Sequence, residues 1–200
     1  MSIAHSVSQV RVVGSTALQP VERAALLAAR GDSHILITGE RSPAQAALAR
    51  FIHEQGDRAA QGFVTVKCDR LSDETIDAEL FGDATKPGLL KSLFCRTVFL
   101  DNVDALSTAT QARLAQALDA MKRHGRVIAS TAVNLKARVV AGFFSAELYD
   151  QLSAATLVVP SLRAQPTEIQ SAFGRFHIVD RPTGQRALVY RHEWPTNRAA

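Results

Sequence analysis

The chain reads as an α/β protein, with a five-stranded parallel sheet and helices on both of its faces. Short apolar runs of four to six residues recur along it, and the segments between them space their apolar residues at helical intervals. Strands that alternate with helices are joined by crossovers, which makes them parallel and buried on both sides. A hydrophobic content of 46% over 200 residues is ample for one such core, and no Gly/Ser-rich linker divides the chain.

Val10 to Ser15 opens as a short extended piece. Pro20 starts a helix in which Val21, Ala24, Ala25, Leu27 and Ala28 are spaced for one buried face, and Gly31-Asp32 ends it. Ile35 to Thr38 is the first strand. A helix from about 43 to 55 follows, with Pro43 in its first turn. Phe63 to Val66 is the second strand, and Asp73 to Leu80 is a short helix closed by Phe81-Gly82. Thr97 to Asp101 forms the third strand and ends on a carboxylate. Ser107 caps a helix to about Met121 that turns Ala112, Leu114, Ala115 and Leu118 inward. Arg126 to Thr131 and Thr156 to Val159 are the fourth and fifth strands. Beyond Pro160 the spacing predicts a short helix over Thr167–Phe173. A hairpin follows, with arms 175–180 and 186–191 joined through Arg181-Pro182-Thr183-Gly184.

Composition excludes several classes. No apolar run reaches the roughly 18 to 20 residues of a membrane helix, and the first residues lack the basic and apolar regions of a signal peptide. Cys68 and Cys95 have no C-x-x-C spacing and read as reduced thiols that serve packing, so the expected location is cytoplasmic. Residues 1–100 carry 11 basic and 11 acidic side chains, whereas residues 161–200 carry six arginines against Glu168, Asp180 and Glu193. Lys122, Arg123 and Arg126, with His124, form a second basic group. No aromatic platform accompanies these charges, so they read as solvated surface ahead of a nucleic-acid site. His34 and His53 read as ordinary polar residues flanking core elements, since no histidine pair has metal-ligand spacing.

The chemistry concentrates at residues 34–46, where an apolar run ends at Gly39, a polar turn Glu40-Arg41-Ser42 follows, and a helix begins. That layout suits the phosphate-cradling pattern G-x-x-x-x-G-K-[ST]. The pattern also requires a second glycine, a lysine on the phosphates and a hydroxyl near magnesium. Ala44, Gln45 and Ala46 stand at those three positions, so the frame is present without its chemistry. Asp101 ends its strand at the carboxyl side, where α/β sheets bind ligands.

Taken together the blocks resemble the AAA+ domain of sigma-54-dependent transcription activators, the NtrC family. Val12-Val13-Gly14-Ser15, Ile35 to Glu40, Ala49 to His53, Phe63 to Cys68, Thr97 to Asn102, Arg126 to Thr131 and Pro160 to Ile169 each resemble a family segment. They stand in the family's order. Glu79-Leu80-Phe81-Gly82 is the family's ELFG unchanged, and Phe144, Leu148-Tyr149 and Leu152 match its F-R-x-D-L-Y-Y-R-L block. The resemblance implies a P-loop NTPase fold over residues 1–170, with 171–200 as a hairpin and an Arg-rich tail. Members bind ATP with magnesium, form hexameric rings and touch the sigma factor.

Against that pattern, Gln45 replaces the lysine that neutralises phosphate charge. Asn102 replaces the glutamate that orients water, and an amide is not a useful base. Ala132 stands at the sensor asparagine, with Asn134 two residues later, and Ser145 and Gln151 hold the two finger-arginine positions. The sigma-contact loop is reduced to Asp83-Ala84-Thr85-Lys86-Pro87-Gly88 before a helical pattern resumes by Leu89, and the lid is expected to be truncated. The vestigial nucleotide site would comprise Gly39, Glu40, Arg41, Ser42, Ala44, Gln45, Ala46, Asp101 and Asn102, without a metal. Arg41 is a candidate to supply the missing positive charge, and Asp101 a candidate to cap a turn or pair with a basic neighbour.

The expectation is therefore a protein without ATPase activity: a regulator or adaptor acting through contact with another protein, such as a sigma-54-dependent activator. Alternatives are a sensor that binds ATP or ADP without hydrolysis and a nucleic-acid-binding regulator using the basic tail. Without fingers or nucleotide at the interface, monomer or dimer is expected over a hexamer, with the hairpin edge free for β-pairing.

Overall fold

Strands β1 (Ile35–Gly39), β2 (Phe63–Lys67), β3 (Thr97–Asp101), β4 (Arg126–Thr131) and β5 (Ala155–Val159) form one parallel sheet in the order β2-β3-β4-β1-β5. The computed structural model describes residues 19–91, 97–121, 125–159, 176–180 and 186–190. The predicted extended piece at 10–15, the helix at 167–173, Cys95 and the Arg-rich tail lie outside the described residues.

Period-two alternation divides each inner strand between two layers. Ile35, Ile37, Phe99 and Ile128 face α1 (Gln19–Ala29) and α2 (Pro43–Glu54). Leu36, Val98, Leu100, Val127 and Ala129 face the other layer. That layer holds α3 (Asp73–Phe81), α4 (Thr108–Met121), α5 (Leu135–Val140) and α6 (Ala146–Leu152). Phe176–Asp180 and Arg186–Tyr190, β6 and β7, pair antiparallel as the hairpin predicted at 175–191.

The chain leaves β1 through α2 for the far edge, returns through β3 to β4, and then passes over β1 to reach β5. The order in which the chain adds strands therefore reverses between β1 and β4, at the carboxyl ends marked by Gly39 and Thr131. In open α/β sheets this crevice is the ligand site.

Several expectations change. Leu27 is 67% exposed, and α1 seats Ala25 and Ala29 against the sheet. In α4, Ala112 faces solvent while Gln111 is buried. Its amide donates to Leu106 O at 2.8 Å and to Phe143 O at 3.4 Å, and its Oε1 accepts from Ser145 N at 2.8 Å. A polar residue can occupy a core position when its whole amide is satisfied. Arg126, counted in a surface basic group, is only 2% exposed. Leu89 to Lys91 form a turn whose first two N–H groups bond Glu79 O and Leu80 O, where a helical pattern was expected. Helices α5 and α6 were not foreseen, being only six and seven residues long.

The shortened segment after α3 is a pinned turn. Gly82 and Pro87 form an antiparallel bridge, and Asp83 Oδ1 accepts from Thr85 N, Thr85 Oγ1 and Lys86 N. Gly82 has φ +86°, and a Cβ there would lie 2.4 Å from Gly88 N, so only glycine fits.

Candidate nucleotide site

The loop from β1 to α2 begins at Gly39, whose φ is +151° and whose added Cβ would meet Val159 O at 2.5 Å. Glu40 and Arg41 are exposed, Ser42 is half-buried, and Pro43 begins α2 at a position where a missing N–H costs nothing. Ala44 and Gln45 are buried, at 1% exposure each, and Ala46 faces solvent.

Gln45 turns inward into the crevice. Its Nε2 donates to Thr131 O at 2.9 Å and to Gly39 O at 3.3 Å, so one amide bridges the carboxyl ends of β1 and β4. Both amide hydrogens are spent on the protein's own backbone.

Arg41 reaches away from the crevice. Its guanidinium lies 2.6 Å from Asp69 Oδ2, just past β2. Desolvation pushes the Asp69 carboxyl up, but the hydrogen bond and charge of Arg41, helped by the Asn102 amide, hold it below the usual carboxylate range. The expected free cation at the loop is thus an ion pair.

Asp101, half-buried at the end of β3, accepts from Ser130 Oγ at 2.8 Å, and that hydroxyl accepts from Asn102 N at 3.1 Å. No basic partner for Asp101 exists among the described residues, contrary to the pairing considered above. Asn102 takes the left-handed conformation, φ 59° and ψ 57°, which a short amide side chain tolerates. It is 5% exposed, and its Oδ1 has no partner. Thr131 Oγ1 donates to Asp104 Oδ1 at 2.6 Å and accepts from Val133 N, fixing the turn after β4.

The structure thus brings Gly39, Gln45, Asp101 and Asn102 together around the crevice and separates Glu40 and Ala46 from it. Asp69, Ser130, Thr131 and Asp104 were missed. Asp69 had the same signal as Asp101, a carboxylate at the carboxyl end of a strand. Asn134 caps α5 by accepting from Ala137 N, and Ser145 caps α6 by accepting from Leu148 N. Both do local helix work. No group of His, Cys, Asp and Glu among the described residues is arranged to hold a metal ion. Cys68 is buried, and burial, followed by the charge of Asp101, pushes its thiol up to about 12, so it is unreactive.

A triphosphate needs free donors and positive charge at this crevice. The residues present supply an amide already committed, an ion-paired guanidinium and a carboxylate held by a serine. None of these three side chains offers a phosphate an uncommitted positive charge.

The sheet order and the strand–loop–helix at its reversal define a P-loop NTPase fold of the AAA+ type. Residues 12–158 match the model of the sigma-54 interaction domain, and the chain belongs to that family. It is 32% identical to the response regulator protein FleR of Pseudomonas aeruginosa over 218 residues, covering 92% of this chain and 46% of FleR. It is 35% identical to the hydrogenase transcriptional regulatory protein HoxA of Bradyrhizobium diazoefficiens over 162 residues, 71% of this chain and 33% of HoxA. The chain thus spans less than half the length of these relatives. Among solved structures, NtrX from Brucella abortus in complex with ADP superposes with a TM-score of 0.71 at 28% identity, covering 80% of this chain and 42% of NtrX. The chain is related to sigma-54-dependent transcription regulators. No helix among the described residues is long and apolar enough to cross a membrane.

Proposed function

We propose that this chain is a regulatory or adaptor member of the sigma-54 activator family that acts through protein contact and does not hydrolyse ATP. The observation that carries this reading is the Gln45 amide, buried across the crevice and bonded to Gly39 O and Thr131 O. A lysine reaching a phosphate acts through a charge that this amide lacks. Asn102 in place of an acid, and Ser145 and Gln151 in place of arginines, point the same way. Removing one transition-state contact typically costs about 2 to 4 kcal/mol, and here several are absent together. The partner class is another sigma-54-dependent regulator or a component of its transcription machinery.

A sensor that binds nucleotide without turnover is the second reading. The likeness to NtrX, whose structures include complexes with ADP and with ATP, favours it. Burial of Arg126 removes it from the second basic group, whereas the basic tail on which the nucleic-acid reading rests lies outside the described residues.

Calorimetry and thermal shift with ATP, ADP and magnesium separate the two main readings. The expected result is no heat and no shift at millimolar nucleotide, with no phosphate release. Micromolar binding without turnover would move the function to the sensor reading, and turnover would overturn both.

A further inference from the structure

We propose that a cavity between β1, β5 and the α5–α6 layer is a binding site for a small organic monoanion, a carboxylate on a compact apolar body. This goes beyond the proposed function and does not depend on it.

The cavity measures about 330 Å³, at the small end of the range for ligand pockets. It lies on the Leu36 face of the sheet. Leu36 and Leu135, which line it, belong to the core of that layer, and Val133 and Tyr149 pack against the same core. Thr156 pairs with Leu36 in the register of β1 and β5 and is exposed, so the cavity opens at the β5 edge. Small residues make the room: Thr38, Gly39 and Ala132 line the end at the carboxyl side of the strands.

The cavity is separate from the phosphate-loop frame. Of residues 39–46, Asp101 and Asn102, only Gly39 lines it. Helix α2, which follows that loop, packs in the opposite layer with Ile35 and Ile37.

The lining selects the ligand. Lys136 is the only charged side chain there, and no carboxylate lines the cavity to oppose an anion. Lys136 is exposed and has no ion-pair partner among the described residues. Arg138, on the same helix, turns instead to Asp104 O at 3.4 Å. Asn134 spends its Oδ1 on Ala137 N, which leaves its Nδ2 as a donor. The hydroxyls of Thr38 and Thr156 reach Leu157 O and Ser153 O only at 3.5 Å each, so both can turn to a ligand. Tyr149 adds a hydroxyl on an aromatic body. One ammonium and several neutral donors over an apolar floor match one carboxylate on a compact hydrocarbon. A triphosphate would meet a single positive charge.

Helices α5 and α6 are six and seven residues long, so packing and not propensity holds them. A ligand that fills the space between them and the sheet stabilises this layer, and with it the folded chain.

Amide NMR titration with phenylacetate and with isovalerate, and with phenylacetamide as the uncharged match, tests this. The expected result is saturable shifts from Ala132 to Lys136 and at Tyr149 and Thr156 at millimolar acid. The melting temperature should rise with the acids, and phenylacetamide should bind much more weakly. Lys136→Gln should raise the Kd for phenylacetate by about tenfold. Thr156→Leu, which fills the cavity from the sheet edge, should abolish the shifts. Both positions are exposed, and an unchanged melting temperature without ligand verifies that each variant folds. No saturable shift with either acid, equal binding of phenylacetamide, a Lys136→Gln protein that binds like wild type, or shifts centred on Arg41 to Gln45 would overturn the proposal. The proposed function is judged by nucleotide binding and turnover, so the two readings fail separately.

Discussion

The Nε2 of Gln45 donates to the carbonyl oxygen of Thr131 at 2.9 Å, joining residues 86 positions apart across the point where the order of strand addition reverses. The same nitrogen reaches Gly39 O, so the amide ties the carboxyl ends of β1 and β4 together. Gln45→Ala leaves both carbonyls without this donor in a buried site and is expected to cost about 2 kcal/mol. Gln45→Glu should cost more, because a carboxylate would face two carbonyl oxygens. Urea unfolding of the two variants measures this, and a Gln45→Ala protein as stable as wild type would remove the amide from its structural role.

Arg126 provides a second buried tie. Its guanidinium donates to Ser33 O and Ala29 O, each at 3.2 Å, and to Ala28 O, so it caps the carboxyl end of α1. Burial, and then the charge of Arg58, pushes its pKa down to about 10, which keeps it charged at neutral pH. Arg126→Met should destabilise by about 3 kcal/mol through the orphaned carbonyls. Arg126→Lys should recover only part of that, since an ammonium cannot reproduce the planar fork. Thermal melts of the pair check the order.

His34 should confer a loss of stability in mild acid. Burial, then the charges of Arg126 and Arg58, lower its pKa from 6.5 to about 4, and its Nδ1 accepts from Val127 N at 3.1 Å. Because the folded pKa is depressed, the unfolded chain binds the proton more readily. The contribution is therefore fully present above the unfolded value and is lost as pH falls from 6.5 through about 4. It is of the order of 3 kcal/mol. His53, lowered chiefly by burial, adds a slope of the same sign. Urea midpoints followed down in pH should fall less steeply for His34→Gln, which keeps an acceptor for Val127 N but cannot titrate.

Two glycines with positive φ should respond differently to alanine. At Gly82, φ +86°, a Cβ would lie 2.4 Å from Gly88 N and 2.5 Å from Lys86 O. At Gly142, φ +75°, nothing stands within 4 Å. Gly142→Ala carries only the left-handed penalty of about 1 kcal/mol, whereas Gly82→Ala adds backbone overlap and should be clearly worse. Chemical denaturation of both gives the comparison, and equal losses would mean the turn after α3 relaxes freely.

The sequence by itself determined the five strands, the long helices between them and the family, because apolar periodicity is local and each inner strand must be buried on both sides. It also marked residues 39–46 as a phosphate-loop frame with Gln45 in place of lysine. It could not say what Gln45, Arg41 or Arg126 do. Their partners are Thr131 O, the Asp69 carboxylate and the carbonyls at the end of α1, 86, 28 and 93 to 98 positions away. Most of these are backbone oxygens, identical at every residue and silent in a sequence. Arg126 illustrates the difference: beside Lys122 and Arg123 it reads as surface charge, yet β4 points it at three carbonyls under α1. Only the tertiary structure decided that, because the cost of burying a polar group depends on the partners the fold brings to it.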